Sequence, residues 1–187
     1  MELIQTGFDG LILIKPRIFE DNRGYFYESY NKAVFVKAGI PHDFVQDNQS
    51  RSMRGVIRGL HYQLAPYAQT KLVRVLQGEI FDVAVDLRKG SNNFGKWYGI
   101  ELTCKNKLQL LIPAGFAHGF SVLSEKAVVI YKTDDFYKKE AEQGILYNDT
   151  KLNIDWHIAG IQTLVSDRDL QLPLFDKAEM NFTYQSA

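Results

Sequence analysis

Several side chains in this chain could move a proton or hold charge beside one. They are His61 in R-G-L-H-Y-Q, Lys71 in K-L-V-R-V-L, Asp82 and Asp86 in E-I-F-D-V-A-V-D-L, His118 in P-A-G-F-A-H-G-F, and Tyr131 in A-V-V-I-Y-K. A histidine offers a base near neutral pH, a lysine a fixed positive charge beside a developing oxyanion, and a tyrosine a phenolic acid. Each also has a plain structural reading. His61 can be half of a metal site, an ordinary buried histidine, or a base that works without metal. A His-x-His metal pair would need its second histidine at position 63, where Gln63 stands. Lys71 among apolar neighbours can run its stem along the sheet and keep its amine in water. Asp82 and Asp86 share a strand face opposite Phe81, Val83, Val85 and Leu87, and that face is either solvent or a cavity. Tyr131 can simply pack with its hydroxyl bonded. Asp169 is explained by a capping signature that begins at Ser166. Arg23, Arg51, Arg54 and Arg58 are either a solvated surface or a clamp for a diphosphate.

The elements that must position these groups are mostly strands. Strand-like runs fall at 11–16, 24–30, 56–63, 70–77, 79–87, 96–103, 107–115, 119–125 and 127–137, separated by turn signals such as Gln77-Gly78. Helix is expected in two short pieces, one from an Asn31 cap to a Gly39 stop and one after Ser166. The expected fold is a mainly-β barrel or double-sheet jelly roll with a short helical C-terminal part. The length of 187 residues, with no repeat or low-complexity linker, predicts one domain over 1–187.

Twenty-two basic residues balance 22 acidic ones, so no global charge draws the chain to nucleic acid or an anionic membrane, and an anionic ligand needs a local basic cluster. No apolar run approaches the roughly 18 to 20 residues that span a bilayer, and the opening M-E-L-I-Q-T-G-F-D-G lacks the features of a secretory signal. Cys104 is the only cysteine and is expected to be a buried strand residue. Together these suggest a cytoplasmic protein.

The ordered blocks carry more than their spacing does. P-A-G-F-A-H-G-F, R-G-L-H-Y-Q, F-V-Q-D-N at 44–48, the run K-L-V-R-V-L-Q-G-E-I-F-D-V-A-V-D-L-R at 71–88, D-N-R-G-Y-F-Y-E-S-Y at 21–30 and N-D at 148–149 closely resemble the dTDP-4-dehydrorhamnose 3,5-epimerase family from about residue 8 to 176. The resemblance implies a cupin-type jelly roll, a homodimer, no metal or other cofactor, and a dTDP-linked 4-keto-6-deoxyhexose as substrate, in dTDP-L-rhamnose formation. It implies a base at His61, an acid at Tyr131, an oxyanion-stabilising lysine at Lys71 and an orienting carboxylate at Asp169. Asp82 falls at a pocket position behind the histidine or lysine. Substrate contacts fall on Arg23, Phe26, Glu28, Gln46, Asn48, Arg58, His118, Glu142 and Arg168, with Arg23 and Glu28 reaching across the dimer and Phe26 stacking on the pyrimidine. Arg168 stands where relatives usually carry lysine. A mono-epimerase would need the same groups; a metal-dependent cupin or a non-catalytic binding module is the reading of a different class.

Overall fold

The computed structural model describes residues 1–185. Its strands are β1 (Glu2–Gln5), β2 (Ile12–Lys15), β3 (Phe19–Asp21), β4 (Gly24–Phe26), β5 (Gln46–Met53), β6 (Ile57–Gln63), β7 (Lys71–Gln77), β8 (Glu79–Asp86), β9 (Trp97–Thr103), β10 (Gln109–Ile112), β11 (Phe116–Val122), β12 (Lys126–Thr133) and β13 (Glu142–Gly144). They form a six-stranded sheet in the order β1-β2-β10-β7-β12-β5, a five-stranded sheet β13-β6-β11-β8-β9, and a separate hairpin β3-β4. The pairings within them are antiparallel. The two large sheets stack as a jelly roll, as expected.

Alternation along each strand divides the molecule into three apolar layers. Between the sheets, Leu11, Val73, Val75, Leu110, Ile112 and Val129 meet Ile80, Ala84, Leu102, Phe116, Phe120 and Val122. The outer face of the five-stranded sheet, with Phe81, Val83, Val85 and Leu87, is covered by the C-terminal segment through Leu152, Trp156, Phe175 and Phe182. The outer face of the six-stranded sheet packs Ile14, Leu72 and Leu111 against Phe35 of α1 (Lys32–Lys37) and Ile40. Asn31 caps α1 by accepting from the N–H groups of Ala33 and Val34.

The structure corrects several local expectations. The strand expected over 24–30 is only Gly24–Phe26, whose residues are all exposed in the hairpin, because no second layer covers it. The polar run Gln46–Met53, not expected as a strand, is the full edge strand β5. The helix after Ser166 is the single turn α2 (Asp167–Leu170), stopped before Pro173. Cys104 lies in the turn after β9, half-buried against the core instead of within a strand. Asp82 and Asp86 are both 0% exposed, which excludes the solvent-facing reading. Asp86, at the end of β8, is held by Arg88 and Ser91.

Candidate active site

The apolar filling between the sheets gives way to polar side chains near β5, β6, β7 and β12. They line a cavity of about 310 Å³ that includes Gln46, Asn48, Arg58, His61, Gln63, Lys71, His118, Tyr131 and Glu142. Register explains the convergence. His61 on β6 pairs with His118 on β11, so both rings project from one sheet. On the opposite sheet Lys71 pairs with Thr133 and Tyr131 with Val73, which sets the ammonium and the phenol on one face as diagonal neighbours. Asn48 is opposite Tyr131 and Gln46 opposite Thr133 on the same inward face.

His61 is held from behind. Its Nε2 lies 2.8 Å from Asp169 Oδ1, and the other carboxylate oxygen accepts the backbone N–H of Gly59 at 3.1 Å. Ser166 Oγ accepts the Asp169 N–H, so the serine caps α2 while the aspartate carboxylate is turned to the histidine. Asp169 therefore combines the capping motif with the site. Burial alone would raise its carboxyl, but the His61 hydrogen bond and charge, with the Gly59 N–H and Ser166, bring it below the ordinary aspartate value. An aspartate so held stays ionised and favours the imidazole tautomer with hydrogen on Nε2, which frees Nδ1 to accept a proton.

Gly59 is required where it stands. Its φ is +108°, and a Cβ would sit 2.6 Å from the His118 carbonyl oxygen. Gly119 faces it with the same constraint, since its Cβ would lie 2.7 Å from the Arg58 carbonyl oxygen. The two glycines let β6 and β11 close up beside the bulge between His118 and Phe120.

Lys71 does not snorkel outward. Its Nζ donates to the His61 carbonyl oxygen at 3.4 Å inside the cavity. Burial lowers its pKa to about 8, against the opposing pull of Asp82 and Glu142. Burial also raises the Tyr131 phenol; Arg58 opposes that rise and Glu142 adds to it. The phenol is thus a protonated donor at neutral pH. Asp82 holds His118, whose Nε2 lies 2.9 and 3.1 Å from its two oxygens, and its charge favours the Lys71 ammonium. It orients His118 and is itself fully buried.

Gln63, at the would-be second metal-ligand position, is committed to the backbone. Its Nε2 donates to the carbonyls of Tyr67 and Phe136, and its Oε1 accepts the Lys138 N–H. Glu142, on β13 opposite Gln63, is joined by the Arg168 guanidinium and the Tyr137 hydroxyl at the cavity mouth. Burial would raise its carboxyl, but those two partners hold it below the ordinary glutamate value. Arg58 donates from Nε to Ser52 Oγ at 2.9 Å, which steadies the guanidinium beside the cavity.

Three expected contact residues stand apart. Arg23 carries 84% side-chain exposure and pairs with Asp21, Phe26 is 68% exposed, and Glu28 accepts from Asn31. All three belong to the β3–β4 hairpin or the loop after it, and none lines the cavity with His61. Conversely, Tyr137, Gln69 and Ser50 line the cavity and were not singled out in the sequence. Tyr137 had a weak signal, an aromatic five residues before Glu142; Gln69 and Ser50 had none.

The family model described as dTDP-4-dehydrorhamnose 3,5-epimerase matches residues 5–177. The chain is 52% identical over 180 residues to the dTDP-4-dehydrorhamnose 3,5-epimerase of Shigella flexneri, covering 96% of this chain and 98% of that one. It is 53% identical over 180 residues to the enzyme of the same name from Pseudomonas aeruginosa, with the same coverages. The crystal structure of a dTDP-6-deoxy-D-glucose-3,5-epimerase from Legionella pneumophila, in complex with dTDP-4-keto-L-rhamnose, superposes with a TM-score of 0.94 at 47% identity over 99% of both chains. The jelly roll is of the cupin type. Among the described residues, no helix is long and apolar enough to cross a membrane.

Proposed function

The chain belongs to the dTDP-4-dehydrorhamnose 3,5-epimerase family, and from that premise we propose that it inverts C3 and C5 of dTDP-4-dehydro-6-deoxy-D-glucose to give dTDP-4-dehydro-L-rhamnose. The observation that carries the assignment of residues is the shared cavity of His61, Lys71 and Tyr131, with the histidine on one sheet and the other two on the sheet facing it.

The C4 ketone of such a sugar acidifies the hydrogens on C3 and C5. His61 takes the proton at Nδ1 while Asp169 supports the imidazolium that forms. The Lys71 ammonium stabilises the negative charge that moves onto the C4 oxygen. Tyr131 returns a proton to the carbon from the opposite face, and the enolate collapses to the ketone. Loss and return of one proton at each carbon balance with no change in oxidation state. Solvent then resets the imidazolium and the phenolate.

A cavity of about 310 Å³ lies at the small end of ligand sites. It suits the hexose, and the nucleotide extends past the mouth, where Arg58 and Arg168 meet the diphosphate as bidentate donors. The exposed hairpin with Arg23 and Phe26 serves the nucleotide bound by a second copy, in a homodimer. The single unpaired Cys104 suits a reducing cytoplasm.

The test is proton NMR of the sugar nucleotide incubated with the protein in deuterated water. Deuterium at both C3 and C5 with the L-rhamno product supports the reading. Deuterium at one carbon alone identifies a mono-epimerase, and none at either overturns the assignment. Mixing Arg23→Ala with His61→Ala protomers tests the shared site: recovered activity supports it, and no recovery contradicts it.

A further inference from the structure

Four polar side chains of β5 face inward in sequence, Gln46, Asn48, Ser50 and Ser52, opposite Thr133, Tyr131, Val129 and Ala127 of β12. Three of them have a defined partner. Gln46 donates to Asn48 Oδ1 at 3.0 Å and accepts the Tyr137 N–H, and Ser52 accepts from Arg58. Ser50 is different. It lines the catalytic cavity, yet its Oγ is buried with no hydrogen-bond partner among the described residues. The other such atom, Gln109 Oε1, belongs to the outer face of the same sheet, in an apolar cavity beside α1.

A buried hydroxyl without a partner is unfavourable, and native chains keep few of them. The position of this one is informative. Ser50 is one inward step from Asn48, which is opposite Tyr131, and one inward step from Ser52, which holds Arg58. In the reading above, Tyr131 faces the reacting ring and Arg58 faces the diphosphate. A group between them meets the oxygens that join ring and phosphate. A serine hydroxyl both donates and accepts, and rotation about one bond brings it toward a ligand in the cavity.

We propose that Ser50 is a further substrate-contacting, specificity-determining residue, whose hydroxyl bonds an oxygen of the sugar 1-phosphate portion of the bound sugar nucleotide. The proposal rests on the epimerase reading. It implies that the same hydroxyl weakens the free protein and strengthens the complex, a pair of opposite effects that a purely structural serine would not produce.

Ser50→Ala tests it, with Ser50→Thr as the variant that keeps the hydroxyl. For Ser50→Ala we expect a melting temperature equal to or above that of the wild type, a KM for the 4-keto sugar nucleotide raised about 3- to 10-fold, and a smaller change in kcat. Ser50→Thr should recover most of the KM. Calorimetry with dTDP alone locates the bond: unchanged dTDP affinity assigns it to the sugar, and a parallel loss assigns it to the phosphate. Wild-type KM in Ser50→Ala overturns the proposal, as does a lowered melting temperature with unchanged KM, which would mark a structural hydroxyl. Wild-type protein that exchanges no deuterium would overturn the parent reading, and this inference with it. Active wild type with an unaffected Ser50→Ala overturns this inference alone.

Discussion

One carboxylate fixes both the ring of His61 and the backbone beside it. Asp169 Oδ1 lies 2.8 Å from His61 Nε2, and Asp169 Oδ2 accepts the N–H of Gly59, two residues before that histidine. The imidazole is thereby oriented by a group that also sets the path of the strand bearing it. The side chain of Asp169 is only 6% exposed and that of His61 31%, so the pair is buried on the aspartate side and open on the cavity side.

Asp169→Asn separates shape from tautomer. The asparagine oxygen can still accept from Gly59, which turns its NH₂ toward His61 Nε2. A donor there forces the histidine hydrogen onto Nδ1, the wrong tautomer for a base facing the cavity. We expect a native circular dichroism spectrum with kcat reduced by about 10²- to 10⁴-fold. A variant with native folding and near wild-type kcat would contradict the orienting role.

Lys71 gives a pH dependence with a definite sign. Its pKa in the folded chain is about 8, against an ordinary value of 10.5. The charged form that the proposed role at the C4 oxygen requires is present below about 8 and is lost as pH rises through it. The profile of kcat/KM should therefore fall on the alkaline side near pH 8, and Lys71→Arg, which stays charged, should lose that limb. Flat activity through pH 10 in the wild type would contradict a lowered pKa at Lys71, and an alkaline limb retained in Lys71→Arg would assign that limb to another group.

The same lysine lowers stability. Below pH 8 it is charged in both folded and unfolded chains, and the folded chain bears the full cost of keeping it from water. That cost fades between about pH 8 and 10.5. Lys71→Met should abolish turnover yet stabilise the fold at pH 7 by roughly 1–3 kcal/mol, as measured by denaturant unfolding. A less stable variant would show that the ammonium is well compensated in place.

Much of the frame was legible because apolar alternation marks strands that face a core. The runs that became β7, β8 and β12 are of this kind, and Phe81, Val83, Val85 and Leu87 do share a packed face. β5 was not legible, since its inward face lines a polar cavity and its outward face meets water, leaving no apolar period to read. The burial of Asp82 was equally hidden: a strand gives the face of a side chain but not what covers that face. The pairing of His61 with Asp169, 108 residues away in sequence, follows from tertiary packing of α2 on β6. The residues alone left His61 open between metal, packing and base, and the family resemblance is what points to a base.

The tight approach of β6 and β11 makes a stability prediction at Gly59. An added Cβ would meet the His118 carbonyl oxygen at 2.6 Å and Gly119 Cα at 2.7 Å, at a φ of +108°. Gly59→Ala should destabilise by at least about 3 kcal/mol and displace His61. A wild-type melting temperature would show that the two strands can separate without loss.

Tyr131→Phe distinguishes proton loss from proton return. The phenol is raised by burial and so is held protonated, as the proposed acid must be. Removing it should slow formation of the inverted product more than the exchange of substrate hydrogens with solvent, both read by NMR in deuterated water. Equal slowing of the two would count against Tyr131 as the returning acid.

Proton removal by His61 is the step on which the proposed chemistry depends. Single-turnover deuterium exchange, followed by NMR for the wild type and His61→Asn at saturating sugar nucleotide, measures that step without the complication of product release. We expect rapid exchange at C3 and C5 in the wild type and a loss of about 10³-fold or more in the variant, with dTDP affinity within a few-fold. Exchange at near wild-type rate in His61→Asn would contradict the account, because some other group would then be removing the proton.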